Sequence, residues 1–221
     1  MALRIHKATL ATNASKLGAL QRFYLDELGL NGGRDERELR VSVGADELTF
    51  AAAAGDPFYH FALLVPGNRF EAARDWLAPH SPILPDSESG ELVFDFDNWQ
   101  ALACYAHDPA GNIVELIAHR GVDESGETGA FGAAELRGVS ELGIVTTDLV
   151  AALDRLRASG LELWSGNVTG PREGFGFIGR KAHTLILCPA GRPWLPTGRP
   201  AEQHPVEVVV GDHDRAVSLA F

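Results

Sequence analysis

The chain is short of several residue types, and each shortage closes off a class of protein. Among 221 residues there are two cysteines and one methionine. Cys104 and Cys188 form no C-x-x-C pair and are flanked by apolar residues. They read as reduced, packed side chains of a cytoplasmic protein rather than as a disulfide framework. Positive charge is scarce: 19 Lys and Arg face 30 Asp and Glu, a formal net charge of −11. That balance argues against a nucleic-acid partner, because phosphate binding needs a basic face; the acidity suits solubility instead. No apolar run reaches the roughly 18 residues of a membrane helix, so no membrane partner is expected. The N-terminal MALRIHKATLATNASKL lacks the apolar stretch of a secretory signal. There is no G-x-S-x-G, no H-E-x-x-H and no phosphate-binding glycine loop. Hydrolase triads, zincins and nucleotide enzymes therefore have no support.

What is present is an ordinary globular composition, 45% apolar and 22% charged, arranged in a plan that recurs. RIHKATLAT has a strand pattern, with Asn13 or Ser15 available to cap the helix that follows. In KLGALQRFYLDELGL, Leu17, Leu20, Tyr24 and Leu28 share one helical stripe that ends at Gly29. LRVSVG and ELTFAAAA then read as a hairpin. The plan restarts at FYHFALLVP, continues through the helix NRFEAARDWL with Asn68 as its cap, and ends in WQALACYA and NIVELIAH around the turn HDPAG. After the Gly- and acid-rich RGVDESGETGAFG, VSELGIVTTD and LVAALDRLRASG open a third, divergent copy. LELWSG, FGFIG, HTLILCPAG and VEVVVG supply its later strands, and GRPWLPTGRP is an excursion, since proline cannot fill a central strand. The expected organisation is a first module over residues 1–54, a second over 55–120, a linker over 121–137 and a third module over 138–221. Consecutive units usually neighbour each other, so the second module is expected to pair with the first. An odd module count leaves one unpaired, from which a homodimer is expected.

HFALLVP opening a strand, the helix after it, and YAHDPAGNIVELIAH closing the module together resemble a module of the vicinal oxygen chelate superfamily, which includes glyoxalase I, extradiol dioxygenases and bleomycin-resistance proteins. FYLDELGL extends the likeness to the first copy. The resemblance implies an α+β fold of repeated βαβββ modules, each pair curling into a half-open mixed sheet with helices outside and a divalent metal within. It also implies His60, opening the first strand of the second module, and Glu115, in its last strand, as metal ligands.

Elementary chemistry supports that pairing independently. An imidazole and a carboxylate suit Fe, Mn, Ni or Zn, and both are costly to bury without a partner. A third ligand is open between His6, which needs a bulge to face the metal, and Glu141, the acid of VSELGIVTTD that comes within reach if the second and third modules pair. In the first copy Lys7 takes the position of His60; it reads as a desolvated, substrate-binding amine or as a snorkelling edge residue. Phe58, Trp99 and Tyr105 are candidate walls of a substrate pocket. His119, His107 and His183 are weaker candidates: a solvated strand end, a turn cap and a packed core residue.

The resulting expectation is a metal-dependent enzyme acting on a small substrate with adjacent oxygens, with Glu115 doubling as general base. A lyase or isomerase step ranks above ring-cleaving dioxygenation, which expects a second histidine. The alternative is a metal-free protein that sequesters a small molecule, as bleomycin-resistance proteins do.

Overall fold

A computed structural model describes residues 3–168, 174–212 and 215–221. The first unit runs β1 (Arg4–Asn13), α1 (Leu17–Gln21), β2 (Asn31–Arg34), β3 (Glu38–Val43) and β4 (Asp46–Ala53). The second runs β5 (His60–Val65), α2 (Phe70–Leu77), β6 (Phe94–Phe96), β7 (Ala101–His107) and β8 (Ile113–His119). The third runs β9 (Gly138–Thr146), α3 (Leu149–Ala158), β10 (Leu163–Asn167), β11 (Phe175–Arg180) and β12 (His183–Pro189). A hairpin of β13 (Val206–Asp212) and β14 (Arg215–Ala220) follows.

Local chemistry accounts for the elements. Asn13 accepts from the Ser15 N–H at 3.0 Å and starts the first helical segment. Leu17, Leu20, Tyr24 and Leu28 are all buried, and beyond α1 the chain continues as a π-helical turn over Arg22–Glu27. At α3, Asp148 accepts from the Ala151 N–H at 2.9 Å. Asn68 does not cap α2 as expected. It exchanges hydrogen bonds of 2.8 and 2.9 Å with the backbone of Ser125, because the linker lies along this helix. Phe131 packs on Trp76 with ring centres 5.4 Å apart, and Glu135 takes the Arg69 guanidinium at 2.9 and 3.1 Å.

Within each unit the first strand is parallel to the fourth: β1 to β4, β5 to β8 and β9 to β12. Pairing between units differs from the expectation. β5 lies antiparallel to β9, so the second and third units share the run β6-β7-β8-β5-β9-β12-β11-β10. β13 takes the equivalent place beside β1, from Arg4↔Gly211 to Leu10↔Val206. VEVVVG therefore belongs to the first unit's sheet, and a single bridge, Ile5↔Val139, links β1 to β9. The physical reason is burial. Gly138 to Ile144 are buried without interruption, as a strand flanked and covered on both sides must be, whereas β13 is interrupted by exposed Glu207.

The fold is α+β, an open mixed sheet with few helices. Strand parity divides the interior. Phe61, Leu63 and Val65 join the large core together with residues of all three helices, while Ala62 joins a second apolar cluster with Ala103, Tyr105, Ile117, Phe177 and Trp194. That second cluster surrounds the site. Among the described residues no helix is long and apolar enough to cross a membrane.

Candidate active site

Three adjacent strands build the floor. In register, Ala62 on β5 lies opposite Glu115 on β8 and opposite Glu141 on β9. Side chains directly across neighbouring strands point to the same face, and so do residues two apart. His60, Glu115 and Glu141 therefore face one space, and all three line a cavity of about 180 Å³. The β5–β9 register shifts between Ala62 and Leu63. The walls are aromatic: Phe96, Trp99, Tyr105, Phe175, Phe177 and Trp194. Trp99 meets Phe177 edge-on at 4.3 Å between ring centres and Trp164 at 5.7 Å, so rings bridge the two open ends of the curled sheet. Trp194 lies over His60 at 5.0 Å. Gly143 makes that approach possible, since a Cβ there would stand 3.0 Å from the Trp194 ring.

His60 Nε2 and Glu115 Oε2 are 2.9 Å apart, while His60 Nδ1 is buried without a partner. Burial drives the electrostatics. It pushes Glu115 up to about 8, against a smaller opposing effect of the Tyr105 phenol. Glu141 is likewise pushed up to about 8 by burial and then by the neighbouring Glu115 charge. Burial lowers His60 to about 4, with Glu141 pulling the other way. At neutral pH the His60–Glu115 contact thus holds one proton, with a neutral acid against a neutral imidazole.

The donors fit a divalent cation in kind, one imidazole and two carboxyls. The 2.9 Å between His60 and Glu115 also equals the spacing of about 3 Å that adjacent octahedral ligands keep at bond lengths near 2.1 Å. The third donor is less well placed: among the described residues no group of three or more His, Cys, Asp or Glu side chains is arranged to hold a metal ion.

Other expected site residues lie elsewhere. Lys7 is half-exposed and pairs with Glu47 at 2.9 Å, beside a separate cavity with Thr9 and Glu207. Its charge is met in its own strand pair, so it is not a substrate-binding amine of this cavity. His6 borders a third cavity with Arg4, Arg137 and Arg180; the β1 bulge between Ile5 and Lys7 exists but lies against β13, away from His60. Phe58 is buried beneath the Arg199 guanidinium, 3.3 Å from its ring centre, and faces a smaller neighbouring cavity. Trp99 and Tyr105 do line the site. His119 is buried, not a solvated end; burial lowers it to about 4, against a smaller opposing effect of the Trp99 backbone. His107 faces the Asn112 carbonyl at 3.2 Å, and His183 borders the cavity of His6. Sequence reasoning missed Arg192, Trp194, Leu195, Phe175 and Phe177 as lining residues. The available signals were the alternating aromatics of FGFIG and a tryptophan inside a proline-rich excursion.

No family model matches the chain, and no curated protein does. Solved structures do. A Bacillus subtilis protein assigned as a dioxygenase superposes with a TM-score of 0.57 at 16% identity, covering 91% of this chain and 66% of that one. Glyoxalase I from Zea mays superposes with a TM-score of 0.51 at 16% identity, covering 84% of this chain and 67% of that one. The chain thus spans about two thirds of the length of both structures. It has the vicinal oxygen chelate fold, the fold of those glyoxalase and dioxygenase structures.

Proposed function

We propose that the chain is a metal-dependent enzyme of glyoxalase type, acting on a small substrate with two adjacent oxygens by a lyase or isomerase step. One observation carries this reading: an imidazole and two carboxyls converge on the floor of an aromatic-walled cavity. His60 and Glu115 would be the donors for Fe, Mn, Ni or Zn, with Glu141 as the nearest further carboxyl on the floor, and such a cation would serve as a Lewis acid on chelated oxygens. The chain's own residues have separate tasks. Glu115 is assigned the proton transfer, because its carboxyl faces the cavity and a general base must reach the proton that it takes. In the metal-free chain His60 Nε2 and Glu115 Oε2 hold each other at 2.9 Å; both groups would turn to a bound cation instead. Tyr105, directly across from Glu115 on β7, and the other rings exclude water and seat the substrate. Ring cleavage with dioxygen expects two histidines and one carboxylate; this floor holds one histidine and two carboxyls, so it ranks lower. A cytoplasmic setting goes with this reading, since Cys104 and Cys188 are both buried and free.

Elemental analysis of the untagged protein tests it. Near-stoichiometric Fe, Mn, Ni or Zn that falls sharply in His60→Ala and Glu115→Ala is the expected result. Wild-type protein that carries no metal and takes up none when titrated overturns it. That second outcome is the one a sequestering, metal-free binding protein gives, a reading favoured by the hydrogen bond in which His60 and Glu115 already satisfy each other.

A further inference from the structure

The cavity contains a cation that the proposed chemistry does not use. Among the described residues lining it, Arg192 is the one Lys or Arg, in a chain with a formal charge of −11. No ion pair among the described residues engages it. Its guanidinium lies over the Phe175 ring at 3.9 Å from the ring centre. Its side chain also hydrogen-bonds the Cys188 thiol, and stacking fixes the plane of the guanidinium while leaving its other in-plane N–H donors for a forked acceptor. The segment that carries it is held in place: the Arg192 carbonyl accepts from Ala201 N–H at 2.8 Å, Trp194 N–H donates to the Arg199 carbonyl at 2.9 Å, and Pro193 bridges Pro200. Arg192 is thus oriented before any ligand arrives.

The remaining wall is aromatic, and the cavity of about 180 Å³ is smaller than the roughly 300–1,000 Å³ of sites for drug-sized ligands. A single planar ring matches both. We infer that the cavity takes a small aromatic carboxylate, its ring between the aromatic walls and its carboxylate on Arg192. This rests on the reading of the cavity as the substrate site. It adds the charge and shape of the substrate, and makes Arg192 the residue that selects for the acid.

The test uses benzoate and its uncharged isostere benzamide as probes, titrated into the full chain and followed through the fluorescence of Trp99 and Trp194. Wild-type protein is expected to prefer benzoate by about tenfold or more, the scale of a charge-assisted, forked hydrogen bond. Arg192→Gln abolishes the preference while benzamide binding is retained. Arg192→Lys, which keeps the charge but loses the fork, restores part of it. Equal affinity for the two probes, no binding of either, or a preference that survives in Arg192→Gln overturns the inference. A preference lost in Glu115→Gln and kept in Arg192→Gln also overturns it, and leaves the metal-enzyme reading standing. Loss of that reading through absent metal leaves the benzoate preference unchanged.

Discussion

Ala62 lies in register with Glu115 on one side and Glu141 on the other, and its single methyl leaves the space between the two carboxyls open. Ala62→Leu fills that space; the expected result is loss of bound metal together with about 1–3 kcal/mol of stability from overpacking, read by elemental analysis and urea unfolding. Metal content unchanged from wild type refutes this. Gly143 does for Trp194 what Ala62 does for the acids, and a Cβ there would also crowd the His60 carbonyl at 3.2 Å. Gly143→Ala is therefore expected to displace Trp194 from His60 and red-shift its emission toward that of a solvated indole, and an unshifted spectrum contradicts it. The titrations give a pH prediction for chelator-treated protein. Folded Glu115 and Glu141 keep their protons up to about 8, whereas the unfolded chain releases them near 4.5. Between those values the folded state binds more protons, so stability falls as pH rises through the window. His60 acts oppositely: it protonates near 6.5 when unfolded and near 4 when folded, so its contribution is lost as pH drops below about 6.5. The thermal midpoint should decline from about pH 6.5 to about pH 8, and Glu115→Gln combined with Glu141→Gln should flatten the decline. A midpoint that rises over that range in both proteins would falsify the assignment.

Between elements, one buried carboxylate does much of the joining. Asp46, at the start of β4, accepts from Arg4 Nε of β1 at 2.8 Å and from the Val139 N–H of β9 at 2.9 Å. Gly138 permits this, since a Cβ there would collide with the Asp46 carboxylate, and its φ of +147° also favours glycine. Asp46→Ala leaves a buried N–H and a guanidinium unpaired, at an expected cost of about 2–4 kcal/mol; a shift of the urea midpoint worth less than about 0.5 kcal/mol sinks this account. The elements themselves were legible in sequence wherever apolar period and turn chemistry agreed. The stripe Leu17, Leu20, Tyr24 and Leu28 is local, and so is the HDPAG turn, where Asp108 accepts from the Ala110 and Asn112 N–H groups at 2.9 and 3.0 Å. Asn68 was misread because its partner, Ser125, is 57 residues away. Asp108 likewise receives the Tyr24 hydroxyl at 3.0 Å across 84 residues, a tie between the first and second units that no local pattern shows.

For the whole molecule the informative feature is which first strands meet. β5 against β9 builds the site; β1 against β13 builds a second half whose counterparts to His60 and Glu115 are Lys7 and Thr49. A homodimer was expected because three modules leave one unpaired, but the β13–β14 hairpin already stands beside β1. The hairpin thus takes the place argued to be vacant, and the homodimer stands as a proposal that light scattering decides at micromolar concentration: a doubled mass supports it and the mass of one 23.7 kDa chain contradicts it. His60 and Glu115 could be singled out in sequence because a polar side chain within an apolar strand is a local anomaly, and the repeated βαβββ plan is written in local periodicity. Whether Glu141 or His6 stood nearest to them, whether Lys7 faced the same space, and which rings enclosed the cavity depended on strand pairing. Pairing is decided by how whole faces bury against one another, and so only the tertiary structure could decide it.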